Sequence, residues 1–193
     1  MFDFYYNTLT KNLKCELDLG MSDTDSLLFK VSDSKVFREH IHEFMDYSNY
    51  PINNPLHTTK NKAMLGFFKD ELAGKQTCKQ FVGLKSKCYT MKLRENDSNL
   101  FSEKKVCKGL GRMAIKNRLK FEHYKKCLFQ GIPHRFDFHT ITSKKHKIST
   151  MRLNKRALSH FDAKRWIYHC GIHSDPYGSV QIKSKNILFC PKC

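Results

Sequence analysis

The chain has 193 residues, of which 40% are hydrophobic and 12% aromatic, and it carries a formal net charge of +17. This apolar content excludes wholesale disorder, because disordered chains have too few hydrophobic side chains to form a core. No stretch approaches the ~20 apolar residues of a membrane-spanning helix, and Asp3 and Lys11 interrupt any signal-peptide core. We therefore expect an intracellular protein, without membrane association, that forms one core or two small lobes.

The charge is distributed unevenly along the chain. Residues 1–57 have a net charge of −4, whereas residues 58–193 have a net charge of +21. Nucleic acid is the expected partner of the basic part, because a distributed Lys and Arg surface gains affinity by releasing counterions from phosphates. The alternative is a generic basic surface without a specific partner.

The first third of the sequence predicts a helix, a β-hairpin and a second helix. Residues 2–10 are aromatic and suit the end of a helix packed beneath the hairpin. Residues 14–20 and 26–31 predict two strands, the second an apolar run suited to burial on both faces. Residues 32–34 offer helix N-caps, and apolar side chains recur at helical spacing over residues 34–47.

The remaining sequence predicts a proline-containing loop, a β-region, a helical region and a second β-region. In chain order the segments are the loop 50–56, the apolar runs 64–68 and 81–84 joined by a turn at Gly74-Lys75, the strand 88–93, the hairpin tip 96–103, the helical region 111–129, and the strands 136–140 and 148–153 across a basic turn at 144–147. The overall prediction is an α+β fold, with one lobe to about residue 85 and a smaller basic α+β lobe after it.

The candidate chemistry begins at Ser22-Asp23-Thr24-Asp25-Ser26, between the first two predicted strands. Alternate side chains of an extended or tightly turned backbone share a face, so Asp23 and Asp25 can point the same way. Two convergent carboxylates repel each other and are commonly held together by a divalent cation. Mg²⁺ is the expected ion, because it prefers carboxylate, phosphate and water oxygens. The alternative is a solvated surface turn.

This acidic turn resembles the palm hairpin of family B DNA polymerases, in which Asp-Thr-Asp-Ser occupies the turn. Lys87-Cys88-Tyr89 is similar to the Lys-x-Tyr motif that holds the primer terminus in the protein-primed subgroup of viruses, linear plasmids and Polinton-like mobile elements. Segments 107–110, 119–129 and 154–166 resemble, in the same order, the thumb of that subgroup and the region after the thumb. The sequence departs from the family at Met21-Ser22, where an aromatic and a small residue are usual.

The resemblance implies a domain organisation and an activity. Residues 1–85 would be a partial palm with the catalytic hairpin, residues 86–170 the primer-binding strand and thumb, and residues 171–193 a cysteine-bearing tail. The implied activity is DNA-directed DNA polymerisation, with primer-template DNA, deoxynucleoside triphosphates and a terminal priming protein as partners. The exonuclease domain, the fingers and the palm strand with the partner aspartate have no counterpart in this sequence, so we expect the isolated chain to be inactive.

The resemblance also implies residue roles. Two Mg²⁺ ions would be held by Asp25, which bridges both, and by Asp23, which supports the site. Lys87 can reach a backbone phosphate, and the Tyr89 ring can pack on a sugar or base. The DNA-binding residues predicted on this basis are Lys85, Lys87, Tyr89, Lys108, Arg112, Lys116, Arg118 and Lys120.

The chain contains eight cysteines, most of which we expect to be reduced in an intracellular protein. Cys190 and Cys193 have the two-residue gap of a zinc knuckle, which Cys170 with His169 or His173 could complete. A second hypothesis for the chain is therefore a stand-alone nucleic-acid-binding module with an inert acidic turn and a zinc knuckle. A third is a metal-dependent nuclease, since paired carboxylates with Mg²⁺ also cleave phosphodiesters.

Overall fold

The computed structural model describes residues 1–161, 164–171 and 173–178. These residues form a mixed α+β fold with four α-helices and several small sheets, as the sequence predicts. The chain divides into two compact units, Met1–Tyr124 and Lys125–Cys193. None of the helices in the described part is long and apolar enough to cross a membrane.

The first unit contains two hairpin regions and the helices between and after them. Its elements are a π-helix (Phe4–Leu9), α1 (Thr10–Asn12), β1 (Leu17–Asp23), β2 (Ser26–Val31), α2 (Ser34–Ile41), a 3-10 helix (His42–Phe44), β3 (Met45–Asp46), β4 (Phe68–Lys69), β5 (Gln76–Lys85), β6 (Cys88–Glu95), β7 (Phe101–Cys107), α3 (Arg112–Arg118) and the start of α4 (Phe121–Gln130). β1 pairs with β2, β3 runs parallel to β4, and β5-β6-β7 form an antiparallel sheet in that order. The boundary predicted at residue 85 thus falls inside the β5–β6 hairpin.

The N-terminal helix packs against the first hairpin, as predicted. The Tyr5 ring stacks on Phe29 of β2, with ring centroids 6.2 Å apart. The second strand begins and ends where the sequence places it, whereas β1 starts at Leu17 and extends to Asp23. The residues of β2 are partly buried, apart from the exposed Lys30, and none is fully buried, because the hairpin has only two strands.

Helix α2 begins as the sequence predicts and ends earlier. The Asp33 carboxylate accepts hydrogen bonds from the backbone N–H groups of Lys35 and Val36, which makes it the N-cap. The helix ends at Ile41 rather than near residue 47, and Met45–Asp46 pairs with β4 instead. The prediction of one continuous helix was wrong. A helix to residue 47 and the observed break before Met45 would both bury Ile41 and Met45, which lie in a core cluster with Leu9, Tyr47 and Tyr50.

The β5-β6-β7 sheet is fastened to the following helices by polar side chains of β7. The Lys105 ammonium group donates to the carbonyl oxygens of Lys116 and Leu119, at the end of α3. The Glu103 carboxylate accepts from the backbone N–H of Phe121, at the start of α4. Because each bond satisfies a backbone group that a helix end leaves without an intrahelical partner, the two side chains fix where α3 stops and α4 begins.

The second unit contains the end of α4 and two antiparallel strand pairs. These strands are β8 (His134–Lys144), β9 (Lys147–Leu158), β10 (Arg165–Ile167) and β11 (Ser174–Pro176). The predicted second β-region and its basic turn are confirmed, since β8 and β9 meet at Lys145-His146. Exposure alternates along β8, with Phe136 and Phe138 partly covered, and this reflects the two-residue period of a strand.

Asp46 is a buried, ion-paired carboxylate in the first unit. Its buried carboxylate accepts from the backbone N–H of Ser48 and pairs with the Lys69 ammonium group at 3.0 Å. Burial favours the neutral acid, but the hydrogen bonds from Ser48 and Lys69 outweigh burial, so the pKa of Asp46 lies well below its usual 3.8. The ionised group therefore stabilises the fold at neutral pH, and this stabilisation is lost as the pH falls below about 3.8.

We expect Asp46→Asn to lower the free energy of unfolding at neutral pH by about 1–3 kcal/mol, because a buried hydrogen-bonded charge is removed. The difference from the wild type should shrink in acid. Urea unfolding across a pH series measures both effects. Asp18→Asn is the matched control, since Asp18 pairs with Lys30 on the open surface and its loss should cost less than about 0.5 kcal/mol. Equal losses in the two variants would contradict the role given to Asp46.

Candidate metal and nucleic-acid site

The two aspartates lie at a tight turn between paired strands. Asp23 is the last residue of β1 and is paired with Ser26, the first residue of β2. The turn is closed by a hydrogen bond of 2.6 Å from the Asp25 N–H to the Asp23 carbonyl oxygen. Thr24, between them, has a φ of +53°, which is uncommon for a β-branched residue. The predicted acidic hairpin tip is therefore present, with some backbone strain at its centre.

Lys87 joins the acidic turn to the second hairpin of the first unit. It lies in the turn between β5 and β6 and has a φ of +55°. Its ammonium nitrogen is 3.3 Å from Oδ1 of Asp23, and the two side chains are 48% and 32% exposed. Two motifs that the sequence analysis identified separately, the aspartate pair and the Lys-x-Tyr motif, thus meet at one point in space.

A third predicted segment lies beside Lys87. The backbone N–H of Lys108, just after β7, donates to the carbonyl oxygen of Lys87 at 2.9 Å. Next to this bond, Cys88 and Cys107 face each other across β6 and β7, with their sulfur atoms 3.9 Å apart in the interior. The hydrogen bond to Cys107 and burial both raise the pKa of the Cys88 thiol, which keeps it protonated. This thiol pair is packing beneath the basic turn rather than a ligand set.

A groove of about 1320 Å³ opens next to the turn, and all of its lining residues belong to the first unit. Its charged lining residues include Asp25, Arg38, Glu71 and Lys104, and Tyr89 and Met91 of β6 line it as well. Asp25 and Tyr89 therefore border the same space, although they come from different hairpins. Asp23 does not line the groove, since its carboxylate is turned to Lys87.

The predicted DNA-binding residues fall into two groups within the first unit. Lys85, Lys87 and Lys108 lie at the same end of the β5-β6-β7 sheet, and Tyr89 lies in the groove. The others lie on or directly after α3 and are exposed, and they are Arg112, Lys116, Arg118 and Lys120. Of the eight, Tyr89 alone is part of the groove lining. The cationic side chains at the sheet end and at α3 thus all lie outside the groove lining.

Sequence reasoning missed the ion pair that stands in the groove. Lys104 of β7 pairs with Glu71 at 2.8 Å, and this hydrogen bond raises the pKa of the Lys104 ammonium group. Lys104 is the cross-strand partner of Met91, which is two residues after Tyr89 on the same face of β6. Alternation along β6 was a usable signal for Met91, but Lys104 required the register between the strands.

The metal-ligating residues are only partly brought together. Among residues 1–161, 164–171 and 173–178, no group of three or more His, Cys, Asp or Glu side chains could hold a metal ion. Asp23 and Asp25 offer hard oxygen ligands of the kind that Mg²⁺ prefers, but two carboxylates leave most of an octahedral shell to water and phosphate. Of the predicted zinc ligands, Cys170 lies next to His173, whereas Cys190 and Cys193 fall outside the described residues.

Comparison of the chain with protein-family models, curated proteins and solved structures finds no match. The resemblance to family B polymerases therefore rests on the sequence motifs and stays a prediction.

The contact between Asp23 and Lys87 can be measured by a double-mutant cycle with Asp23→Asn and Lys87→Met. We expect a coupling of about 0.2–1 kcal/mol in the free energy of unfolding, because the pair is partly exposed. Added salt should weaken it. The control cycle combines Asp25→Asn with Lys87→Met and should be additive to within about 0.5 kcal/mol. Equal coupling in both cycles would show that Lys87 interacts with the negative charge of the whole turn rather than with Asp23 specifically.

Proposed function

We propose that this chain is the palm-and-thumb part of a family B DNA polymerase of the protein-primed subgroup. The observation that carries the proposal is the contact between Asp23 and Lys87. It brings the acidic turn and the Lys-x-Tyr motif together, although they are far apart in sequence. A chance match to two short motifs would have no reason to place them side by side.

The geometry suggests distinct roles for the two aspartates. Asp25 borders the groove and makes no ion pair with any described residue, so its oxygens are available to a ligand. Asp23 is already neutralised by Lys87 and acts as a support for the turn. Asp25 offers hard oxygens of the kind that Mg²⁺ prefers. With further carboxylates, which the described residues do not supply, a bound Mg²⁺ would stabilise the attacking hydroxyl and the leaving pyrophosphate. Asp25 would be the principal ligand that this chain contributes.

Lys87 and Tyr89 would position the primer terminus. Lys87 lies in the turn just before β6, and Tyr89 is the second residue of that strand, so both belong to the same end of the β5-β6-β7 sheet. Lys87 is half exposed and can exchange Asp23 for a backbone phosphate, and Tyr89 presents a partly buried ring to the groove. Holding the hydroxyl in line removes much of the barrier to phosphoryl transfer.

The basic surface at the sheet end and on α3 would hold duplex DNA through its phosphates. Lys108, Arg112 and Lys116 are exposed there, and no ion pair with a described residue neutralises them. Contacts of this kind position a duplex without reading its sequence. A polymerase needs this property, because it must bind every template. Incoming deoxynucleoside triphosphates and a priming protein complete the proposed partners.

A second candidate function is a nucleic-acid-binding module whose acidic turn is inert. It is favoured by the finding that no third carboxylate joins Asp23 and Asp25 in the described part of the chain. The two candidates agree on DNA binding. They differ on whether Asp25 is required for chemistry.

The proposed DNA surface predicts a salt-dependent affinity for a primer-template duplex. We expect Lys108→Gln and Arg112→Gln each to weaken binding and to reduce the slope of log K against log salt by about 1, because each removes one phosphate contact. Fluorescence anisotropy over a potassium chloride series measures both quantities. Lys30→Gln is the control, since Lys30 pairs with Asp18 on the first hairpin. An equal slope change in this control would indicate a generic basic surface.

The proposed catalytic site predicts no primer extension by the isolated chain with Mg²⁺ and deoxynucleoside triphosphates, because two carboxylates do not complete the metal site. Extension should appear when the polymerase region that carries the further aspartate is supplied. Asp25→Asn should then abolish extension and leave duplex binding unchanged, whereas Asp18→Asn should have no effect on either. Wild-type extension rates with Asp25→Asn would favour the inert turn of the second candidate.

A further inference from the structure

Two cysteines face each other on neighbouring strands of the first unit. Cys88 is the first residue of β6 and Cys107 is the last residue of β7, and the two are direct partners in the antiparallel register. The backbone N–H of Lys108 donates to the carbonyl oxygen of Lys87, and these are the residues just outside the pair. A bond in this position makes Cys88 and Cys107 a non-hydrogen-bonded pair, the arrangement that brings opposite side chains closest together.

The spacing of this pair is compatible with a disulfide. A non-hydrogen-bonded pair has its Cα atoms about 4.5 Å apart, and disulfides join residues whose Cα atoms are about 4.4–6.8 Å apart. The two sulfur atoms are already in contact at 3.9 Å. To reach the S–S bond length of about 2.05 Å they must approach each other by about 2 Å, without a change in the pairing of the strands.

The hydrogen bond between the two thiols makes them chemically unequal. The Cys88 thiol donates to the sulfur of Cys107. This bond lowers the pKa of Cys107 by more than burial raises it, whereas the same bond and burial raise the pKa of Cys88. Because the thiolate is the nucleophile, Cys107 is the sulfur that reacts first and Cys88 is the one that closes the disulfide.

The position of Cys107 in the sheet provides access for a small oxidant. Cys88 and Cys107 are only 2% and 4% exposed, so their sulfur atoms are reached when the structure opens locally. β7 is the last strand in the order β5-β6-β7, and Cys107 is its final residue. The end of such a strand opens at a lower free-energy cost than the centre of a sheet.

We propose that Cys88 and Cys107 form a redox modification site, which a peroxide oxidises to a disulfide and a dithiol reduces again. With hydrogen peroxide, the Cys107 thiolate attacks one oxygen, so that an S–O bond forms and the O–O bond breaks. The hydroxide that leaves takes up the proton released by Cys107. The Cys88 sulfur then attacks the Cys107 sulfur, an S–S bond replaces the S–O bond, and the second hydroxide leaves as water with the Cys88 proton. The two sulfurs lose two electrons, which reduce one peroxide to two waters.

The disulfide fastens the end of β7 to the start of β6, directly beside the hydrogen bond between Lys108 and Lys87. Lys87 also pairs with Asp23, so oxidation stabilises the turn that contacts the acidic hairpin. The modification site itself does not depend on the proposed polymerase function, and either proposal can fail without the other.

The test is peptide mapping of the folded full chain after treatment with a small excess of hydrogen peroxide. Remaining thiols are alkylated in denaturant, and the chain is digested without reduction. We expect one cross-linked peptide pair, joined through Cys88 and Cys107 and about 2 Da lighter than the two thiol peptides together, which dithiothreitol separates. Cys15 and Cys78 are the internal controls and should form no disulfide. They are partly exposed, and their thiols donate to backbone carbonyl oxygens rather than to another cysteine.

Hydrogen exchange measures the effect on the turn. In the wild type, oxidation should slow exchange of the Lys108 amide by about tenfold or more, because the disulfide opposes opening of the strand end. Peroxide should not change this rate in Cys88→Ala or in Cys107→Ala.

The mapping of the wild type needs no variant, so the proposal stays testable if these substitutions unfold the chain. Oxidation of Cys107 to a sulfinic acid without a cross-link, or a mixture of disulfides that include Cys15 or Cys78, would overturn the proposal. A cross-link between Cys88 and Cys107 that leaves exchange of the Lys108 amide unchanged would overturn the effect on the turn.

Discussion

The ion pair between Asp23 and Lys87 is the contact on which the candidate site depends. It links the turns of two separate hairpins, and each turn contains a non-glycine residue at positive φ, Thr24 in one and Lys87 in the other. Such conformations cost about 1–3 kcal/mol and persist only where the surroundings hold them. The pair joins a carboxylate of the acidic N-terminal part of the sequence to a cation of the basic part that follows it. The two oppositely charged parts of the sequence are thus in contact at this point.

The other well-held carboxylates of the first unit have a structural role that separates them from the candidate chemistry. Asp70 accepts hydrogen bonds from the Tyr50 hydroxyl and from the backbone N–H groups of Leu72 and Gly74. Gly74 has a φ of +65°, and a side chain there would overlap the Tyr50 ring. Asp70 therefore stabilises the turn predicted at Gly74-Lys75. Asp46 in the same way stabilises β4, through its ion pair with Lys69. The Asp25 carboxylate has no such bonds to backbone groups of the described residues, and Asp25 lines the groove.

The secondary structure was predictable where a local signal is strong. The second strand, the Asp33 cap, the strand at residues 88–93 and the β8–β9 ribbon follow from alternation, capping chemistry and turn residues. The end of α2 was not predictable, because Ile41 and Met45 satisfy helical spacing and the core equally well. The apolar run at residues 64–68 was misleading, since Met64 and Leu65 are largely exposed and only Phe68–Lys69 forms a strand.

The sequence by itself determined which residues are candidates for chemistry: the paired aspartates, the Lys-x-Tyr motif, the basic helical region and the Cys190–Cys193 pair are all local patterns. Only the tertiary structure decided which of them meet. It placed Lys87 on Asp23, put Asp25 and Tyr89 on one groove with Lys104 and Glu71, and brought His173 next to Cys170. The reason is physical, since spacing along a chain fixes which side chains share a face, whereas contacts between hairpins depend on packing and register that no single segment encodes.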